Sequence, residues 1–184
     1  MRKLIEYTLI TLDGVIGEPK RWSNFDEESA TLARKRLDDF DAYVMGRVAY
    51  EYVFTGLSES EGNPYVKRLK AMPKYVASQS LAALPPNVTL LGPDVADAIR
   101  RLKEQPGKDL IKYGTSSLDA LLLEEGLLDE LHLWYLPVVG GAGQRLFEGV
   151  DASSLKLRMI DEHRLSNGSV VLSYTVGRRS DNIG

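Results

Sequence analysis

The chain of 184 residues contains no cysteine. That absence excludes a disulfide framework, a thiolate nucleophile and a cysteine-ligated zinc site. Histidine is nearly as scarce. His132 and His163 are the only two, far apart in sequence on segments that read as strands, and they make no metal pair. An excess of positive charge is missing too. The 23 Lys and Arg against 26 Asp and Glu leave a formal charge of −3, which argues against a nucleic-acid partner. No apolar run approaches the roughly 20 residues that span a bilayer, so no membrane role is expected. Arg2-Lys3 followed by Leu4-Ile5-Glu6-Tyr7-Thr8-Leu9-Ile10 superficially resembles a secretory leader. Glu6 interrupts its apolar stretch and no small-residue cleavage site follows, so a mature β-strand and a cytoplasmic address are expected. There is no internal repeat, low-complexity tract or long linker.

What is present suits one globular domain, expected over residues 1–177, with 178–184 as a flexible tail. Hydrophobic residues make up 43% of the chain, enough for a real core at this length. A first strand is expected from Lys3 to Thr11, broken by Asp13-Gly14. Asn24, with Glu27 three residues later, signals a helix from about Asp26 to Phe40, with Ala30, Ala33, Leu37 and Phe40 on one face. A second strand, Ala42 to Met45, stops at Gly46, and a short helix follows through Tyr50. Pro64 to Met72 is ambiguous between a short helix and coil. Lys74 to Ser78 and Val88 to Leu91 read as strands. Asp94 caps a helix that presents Val95, Ile99 and Leu102 on one face and ends at Pro106-Gly107. Asp109 to Tyr113 is a fifth strand. Gly114-Thr115-Ser116-Ser117 opens a helix with Leu118, Leu121 and Leu122 inward. A sixth strand runs from Glu130 to Leu136. Two alternating runs, Leu155 to Leu165 and Ser169 to Val176, flank Asn167-Gly168, the strongest short hairpin signal. Strands alternating with helices imply an α/β fold with a mostly parallel central sheet and an antiparallel C-terminal hairpin.

In such sheets ligands bind beyond the C-terminal ends of the strands. At those ends lie Thr11-Leu12-Asp13-Gly14, Gly46-Arg47 with Glu51, Ser78-Gln79-Ser80, and Gly114-Thr115-Ser116-Ser117. A small residue at a strand-to-helix turn lets a ligand approach the backbone, and the amides there suit an anion. The same residues would also serve as ordinary helix caps. Arg47 at a helix start opposes the helix dipole, which a bound phosphate would justify and a solvated surface would equally tolerate. Ser78 and Gln79 could share that phosphate or a ribose. Three phosphate-compatible turns at one end of one sheet point to a nucleotide or dinucleotide site.

Several motifs resemble known proteins. Val44-Met45-Gly46-Arg47 with Tyr50-Glu51, and Pro73-Lys74-Tyr75-Val76-Ala77-Ser78, resemble segments of dihydrofolate reductases. Two longer stretches are similar to the C-terminal reductase domain of the bifunctional riboflavin-biosynthesis deaminase–reductase. They are Tyr113-Gly114-Thr115-Ser116-Ser117-Leu118 through Gly126-Leu127-Leu128-Asp129-Glu130-Leu131, and Pro137-Val138-Val139-Gly140-Gly141-Ala142-Gly143 through Arg145-Leu146-Phe147. Thr11-Leu12-Asp13-Gly14 fits the same family, and the similarity runs from about Lys3 to Val176. The resemblance implies a three-layer dihydrofolate-reductase-like fold, NADPH as cofactor and a homodimer. It implies that Arg47 and Ser78 hold the adenosine 2′-phosphate region, that Gly46 and Gln79 are cofactor-binding beside them, and that Gly114, Thr115 and Ser116 cradle the pyrophosphate. Gly140 and Gly141 would lie near the cofactor or the sheet edge.

Two departures shape the functional expectation. The middle of the first helix reads Ser29-Ala30-Thr31-Leu32-Ala33, without the acid that contacts the pterin in dihydrofolate reductases. With no Cys and two His the chain also holds no zinc deaminase domain. The expected activity is therefore NADPH-dependent reduction of a small heterocycle, resembling 5-amino-6-(5-phosphoribosylamino)uracil reductase. A non-catalytic nucleotide-binding protein of the same fold and a dihydrofolate reductase are the alternatives. Asp13 is the candidate catalytic residue because it follows the first strand. A turn-forming role beside Gly14 explains it as well. Gly141-x-Gly143 with Asp161 imitates a dinucleotide fingerprint, but a hairpin, not a βαβ unit, follows it. Trp134-Tyr135 reads as core or dimer surface.

Overall fold

The computed structural model describes residues 1–17, 22, 25–52, 62–78, 81, 84–148 and 155–178. Eight strands form one sheet in the order β4-β3-β2-β5-β1-β6-β8-β7. They are β1 (Leu4–Thr11), β2 (Phe40–Gly46), β3 (Lys74–Ala77), β4 (Val88–Leu90), β5 (Asp109–Tyr113), β6 (Glu130–Leu136), β7 (Leu155–Arg164) and β8 (Val170–Arg178). The first six strands pair in parallel, while β8 is antiparallel to both β6 and β7. This is the expected α/β sheet with an antiparallel C-terminal hairpin.

Five helices accompany it among the described residues: α1 (Glu27–Leu37), α2 (Arg47–Glu51), α3 (Pro64–Ala71), α4 (Val95–Glu104) and α5 (Leu118–Glu124). Local chemistry explains where they start. The carboxylate of Asp26 accepts from the Ser29 amide at 2.8 Å, with Glu27 and Glu28 in the first turn and Arg34, Lys35 and Arg36 in the last, complementing the dipole. Asp26 is thus the cap, and Asn24 lies outside the described residues. The helix also ends earlier than its apolar spacing suggests, at Leu37, because Phe40 is taken up by β2. The ambiguous Pro64 segment is helical, with Pro64 in the first turn behind the Asn63 cap. Asp94 caps α4 through the Asp97 amide at 3.0 Å.

The helices cover both faces, giving three layers. One core joins Leu4, Val44 and Leu110 to Ile99 and Leu102 of α4 and Leu118 and Leu122 of α5. On the other face Leu37, Phe40, Tyr43, Met45, Leu69 and Ile111 pack together. Strand β7 ends the sheet, so the alternation read in its sequence buries neither face. Leu157, Met159 and Ile160 are all exposed. Its hairpin turns at Asn167-Gly168 as expected, with Gly168 at φ 86. Strand β8 continues through Arg178, one residue into the segment read as a tail.

A buried lysine joins helix to sheet. The Nζ of Lys74 donates to the carbonyls of Lys70 and Met72, both at 2.7 Å, closing the C-terminus of α3. Burial pushes its ammonium down to about 8. Lys74→Met removes these donors and should lower the unfolding free energy by about 1–3 kcal/mol, read from urea midpoints. An unchanged midpoint would show that Lys74 does not hold the helix end.

Candidate functional site at the strand C-termini

Parallel pairing brings the C-terminal ends of β3, β2, β5 and β1 to one edge of the sheet. Gly46 ends β2 and Arg47 opens α2. In the neighbouring strand, β5, Gly114 follows Tyr113 in the left-handed region at φ 65. A Cβ built on Gly46 would lie 4.0 Å from the Ser116 Oγ, and one built on Gly114 would meet nothing within 4 Å. The two turns read separately in the sequence therefore face each other, and the Gly114 backbone is open to approach. Ser78 follows β3 at the same edge, half-buried. Gln79 lies outside the described residues. The Arg47 side chain is about half exposed, 3.7 Å from Glu51 one turn along.

The turn after β5 is braced internally. The Gly114 amide donates to the Tyr7 carbonyl at 2.8 Å, and the Ser116 amide to Asp119 Oδ2 at 2.7 Å. Beneath it Lys112, 1% exposed, contacts Glu6 Oε2 at 3.1 Å and Asp119 Oδ1 at 2.5 Å, and donates to the Gly114 carbonyl. Thr8 Oγ1 donates to Glu6 Oε1 at 2.9 Å. Burial raises the Glu6 carboxyl to about 7, with Lys112 opposing the shift. Sequence reading missed this cluster, although a signal was there. Glu6 and Lys112 each interrupt an apolar strand, and the β1–β5 register pairs them directly.

The β1 end is a zipper between two loops. Asp13 Oδ1 accepts from Thr11 Oγ1 at 2.6 Å and the Gly140 amide at 2.8 Å, and Oδ2 accepts from the Gly141 amide at 2.9 Å. These donors hold its carboxyl well below the usual range. Arg145 donates to the Asp13 carbonyl, and Ile16 to the Gln144 carbonyl at 2.9 Å. Gly140 is required sterically. A Cβ there would lie 2.8 Å from the Val15 Cβ and 3.1 Å from Thr11 Oγ1. Gly140 and Gly141 thus sit against the end of β1, their amides committed to Asp13. A cavity of about 40 Å³ separates Thr115 and Ser116 from the Gln144–Glu148 segment.

The first-turn carboxylates of α1 are all engaged locally. Asp26 caps, Glu27 pairs with Arg34 at 2.6 Å, and Glu28 accepts from the Ser166 amide at 2.9 Å. Ser29 is buried and meets Asn167 Nδ2 at 3.0 Å. Below α1, Trp134 is core, 5.0 Å from the Phe25 ring and packed with Leu9, Trp22 and Leu32. Tyr7, Tyr43, Tyr65 and Tyr113 form a second aromatic group behind the β5 turn, and burial raises the Tyr7 and Tyr65 hydroxyls to about 12. A separate cleft of about 490 Å³ opens toward the N-terminal ends of β1, β5 and β6. On one side of it Glu130 meets Lys3 at 2.6 Å and His132 at 2.9 Å. His132 is lowered chiefly by burial, and His163 lies exposed on β7. Among the described residues no group of side chains could hold a metal, and no helix is long and apolar enough to cross a membrane.

Helices on both faces of this eight-stranded sheet, with glycine turns meeting at the strand ends, define a dihydrofolate-reductase-like α/β protein. The dihydrofolate reductase of Schistosoma mansoni superposes with a TM-score of 0.56 at 18% identity, over 96% of this chain and 99% of that one. The chain belongs to the RibD C-terminal domain family, matched over residues 2–171. The uncharacterized protein YyaP of Bacillus subtilis is 28% identical over 181 residues, covering 94% of each chain. The Thermotoga maritima diaminohydroxyphosphoribosylaminopyrimidine deaminase/5-amino-6-(5-phosphoribosylamino)uracil reductase is similar at TM-score 0.65 and 18% identity, covering 95% of this chain and 56% of that one.

Two stability outcomes follow. Gly140→Ala should cost about 1–3 kcal/mol by forcing the loop off Val15. Gly62→Ala, with open space around it, should change stability by less than about 0.5 kcal/mol. Equal urea midpoints for the two variants would refute the steric argument. For Glu6, the folded carboxyl near 7 exceeds the unfolded value of about 4.3. The native state therefore binds more protons between those values. Its contribution to stability is full below about pH 4 and falls as pH rises to about 7. Glu6→Gln should flatten that part of the stability–pH curve, and parallel curves for variant and wild type would contradict the assignment.

Proposed function

We propose that the chain is an NADPH-dependent reductase of a small heterocycle, similar in kind to the uracil reductase named for the T. maritima relative. The observation that carries this reading is the approach of Gly46 to Ser116 across adjacent parallel strand ends, with Gly114 open beside them and Arg47 at the rim. The residues fit the cofactor. The open space over Gly114 gives a pyrophosphate room to approach the turn, Thr115 and Ser116 add hydroxyls, and a rim guanidinium suits the adenosine 2′-phosphate. Gly46 keeps the gap between the turns open, and Ser78 lies on the same edge. When bound, NADPH supplies the hydride for a conjugated C=N or C=O bond. Asp13 serves here as an anionic clamp on the Gly140–Gly141 loop and not as a proton source, since three donors stabilise its ionised form. Dihydrofolate reduction is disfavoured because the acids of α1 are committed to its cap, to Arg34 and to the hairpin turn.

Fluorescence titration with NADPH and NADH tests the reading. Wild type should prefer NADPH by about tenfold or more, equivalent to about 1.4 kcal/mol, and Arg47→Ala should abolish the preference. Loss of the exposed Glu51 pair contributes little by itself. Absence of NADPH binding by wild type, or undiminished selectivity in Arg47→Ala, would overturn it. Binding without oxidation across pyrimidine, pterin and flavin precursors would favour a nucleotide-binding protein.

A further inference from the structure

We infer that Lys112, Glu6 and Asp119 form a positioning triad that fixes the Gly114–Ser116 turn from beneath, so that the turn meets a cofactor anion already in its binding shape. The inference rests on the reading of that turn as part of the cofactor site. The contacts form one chain from sheet to turn. Thr8 holds Glu6, Glu6 and Asp119 flank the Lys112 ammonium, Lys112 donates to the Gly114 carbonyl, and Asp119 accepts from the Ser116 amide. Both ends of the turn are thereby tied to one buried cation.

Helix capping alone does not require this arrangement. Asp26 and Asp94 each cap a helix through one amide, and neither uses a buried lysine to do so. Burying three ionisable groups is costly, and an apolar core of equal volume is often as stable or more so. The arrangement is accounted for by the geometry it imposes. Gly114 has no side chain to anchor it, and in the left-handed region it leaves the turn free to adopt other shapes. The triad removes that freedom before a ligand arrives, which lowers the ordering cost of binding. None of the three reaches the ligand in this scheme. They act through the turn.

The test compares Asp119→Ala with Asp119→Asn, which keeps an acceptor for the Ser116 amide. Two quantities are measured: amide hydrogen exchange of residues 113–118, and the NADPH dissociation constant. Asp119→Ala should speed exchange at the turn and weaken NADPH, each by about tenfold. Asp119→Asn should recover most of both, although both variants lose the charge partner of Lys112 and melt lower. Lys112→Gln, neutral and of similar length, is the second variant should Asp119→Ala fail to fold. It should speed the same exchange and weaken NADPH by at least about threefold. Unchanged exchange at the turn, or faster exchange with unchanged affinity, would overturn the inference. So would equal affinity losses in the Ala and Asn variants that track their melting temperatures. Wild type that fails to bind NADPH would instead overturn the cofactor reading, and exchange at the turn would still decide whether the triad holds it.

Discussion

The buried ammonium of Lys112 is the constraint on which the candidate site at the strand ends depends. It sits under the turn after β5, between a carboxylate from the neighbouring strand and one from the following helix. A charge in that position must be compensated on every side, because isolated ions are poorly solvated by a protein interior. Register, turn and helix start are therefore linked. Shifting β5 by one residue against β1 would turn Lys112 to the opposite face and separate it from Glu6. The same shift would move the Gly114 turn away from Gly46.

A second constraint acts at the end of β1, and it is steric as well as polar. Asp13 gathers the hydroxyl of Thr11 and the amides of Gly140 and Gly141, while Val15 leaves no space for a side chain on Gly140. The loops after β1 and β6 are thus locked together, and the wall facing Thr115 and Ser116 is rigid on that side. The two devices frame opposite flanks of the strand ends. One is an ionic cluster buried beneath a turn, the other a carboxylate clamp on a glycine loop. Both use an acid as an acceptor for backbone amides, which fixes irregular backbone where a sheet ladder cannot.

Much of the architecture was legible because the chemistry was local. Asp94 before the Val95-Ile99-Leu102 stripe and Asn167-Gly168 between alternating runs each carry their own structural instruction, whereas the Pro64 segment is ambiguous in sequence and only the structure shows the Asn63 cap. Boundaries were less legible where two elements compete for a residue. Phe40 continues the spacing of α1, yet it belongs to β2, where burial between helices and sheet holds it more strongly than one more helical turn would. The exposed β7 shows the converse. Its alternation is real, but among the described residues no layer covers either side of the outermost strand. At the candidate site the glycine and serine turns could be read from the sequence, whereas nothing in the chain shows which amides point at Asp13.

The sequence by itself determined the class of the molecule: alternating elements, a closing hairpin, no cysteine, and small polar residues after several strands. These follow from periodicity, caps and turns, which act over a few residues. Only the tertiary structure decided which distant residues meet. Glu6 and Lys112 are 106 positions apart, and Asp13 and Gly140 are 127 apart. Their pairing is set by the order and register of parallel strands. That order depends on which faces the helices bury, and no local pattern in the chain encodes it.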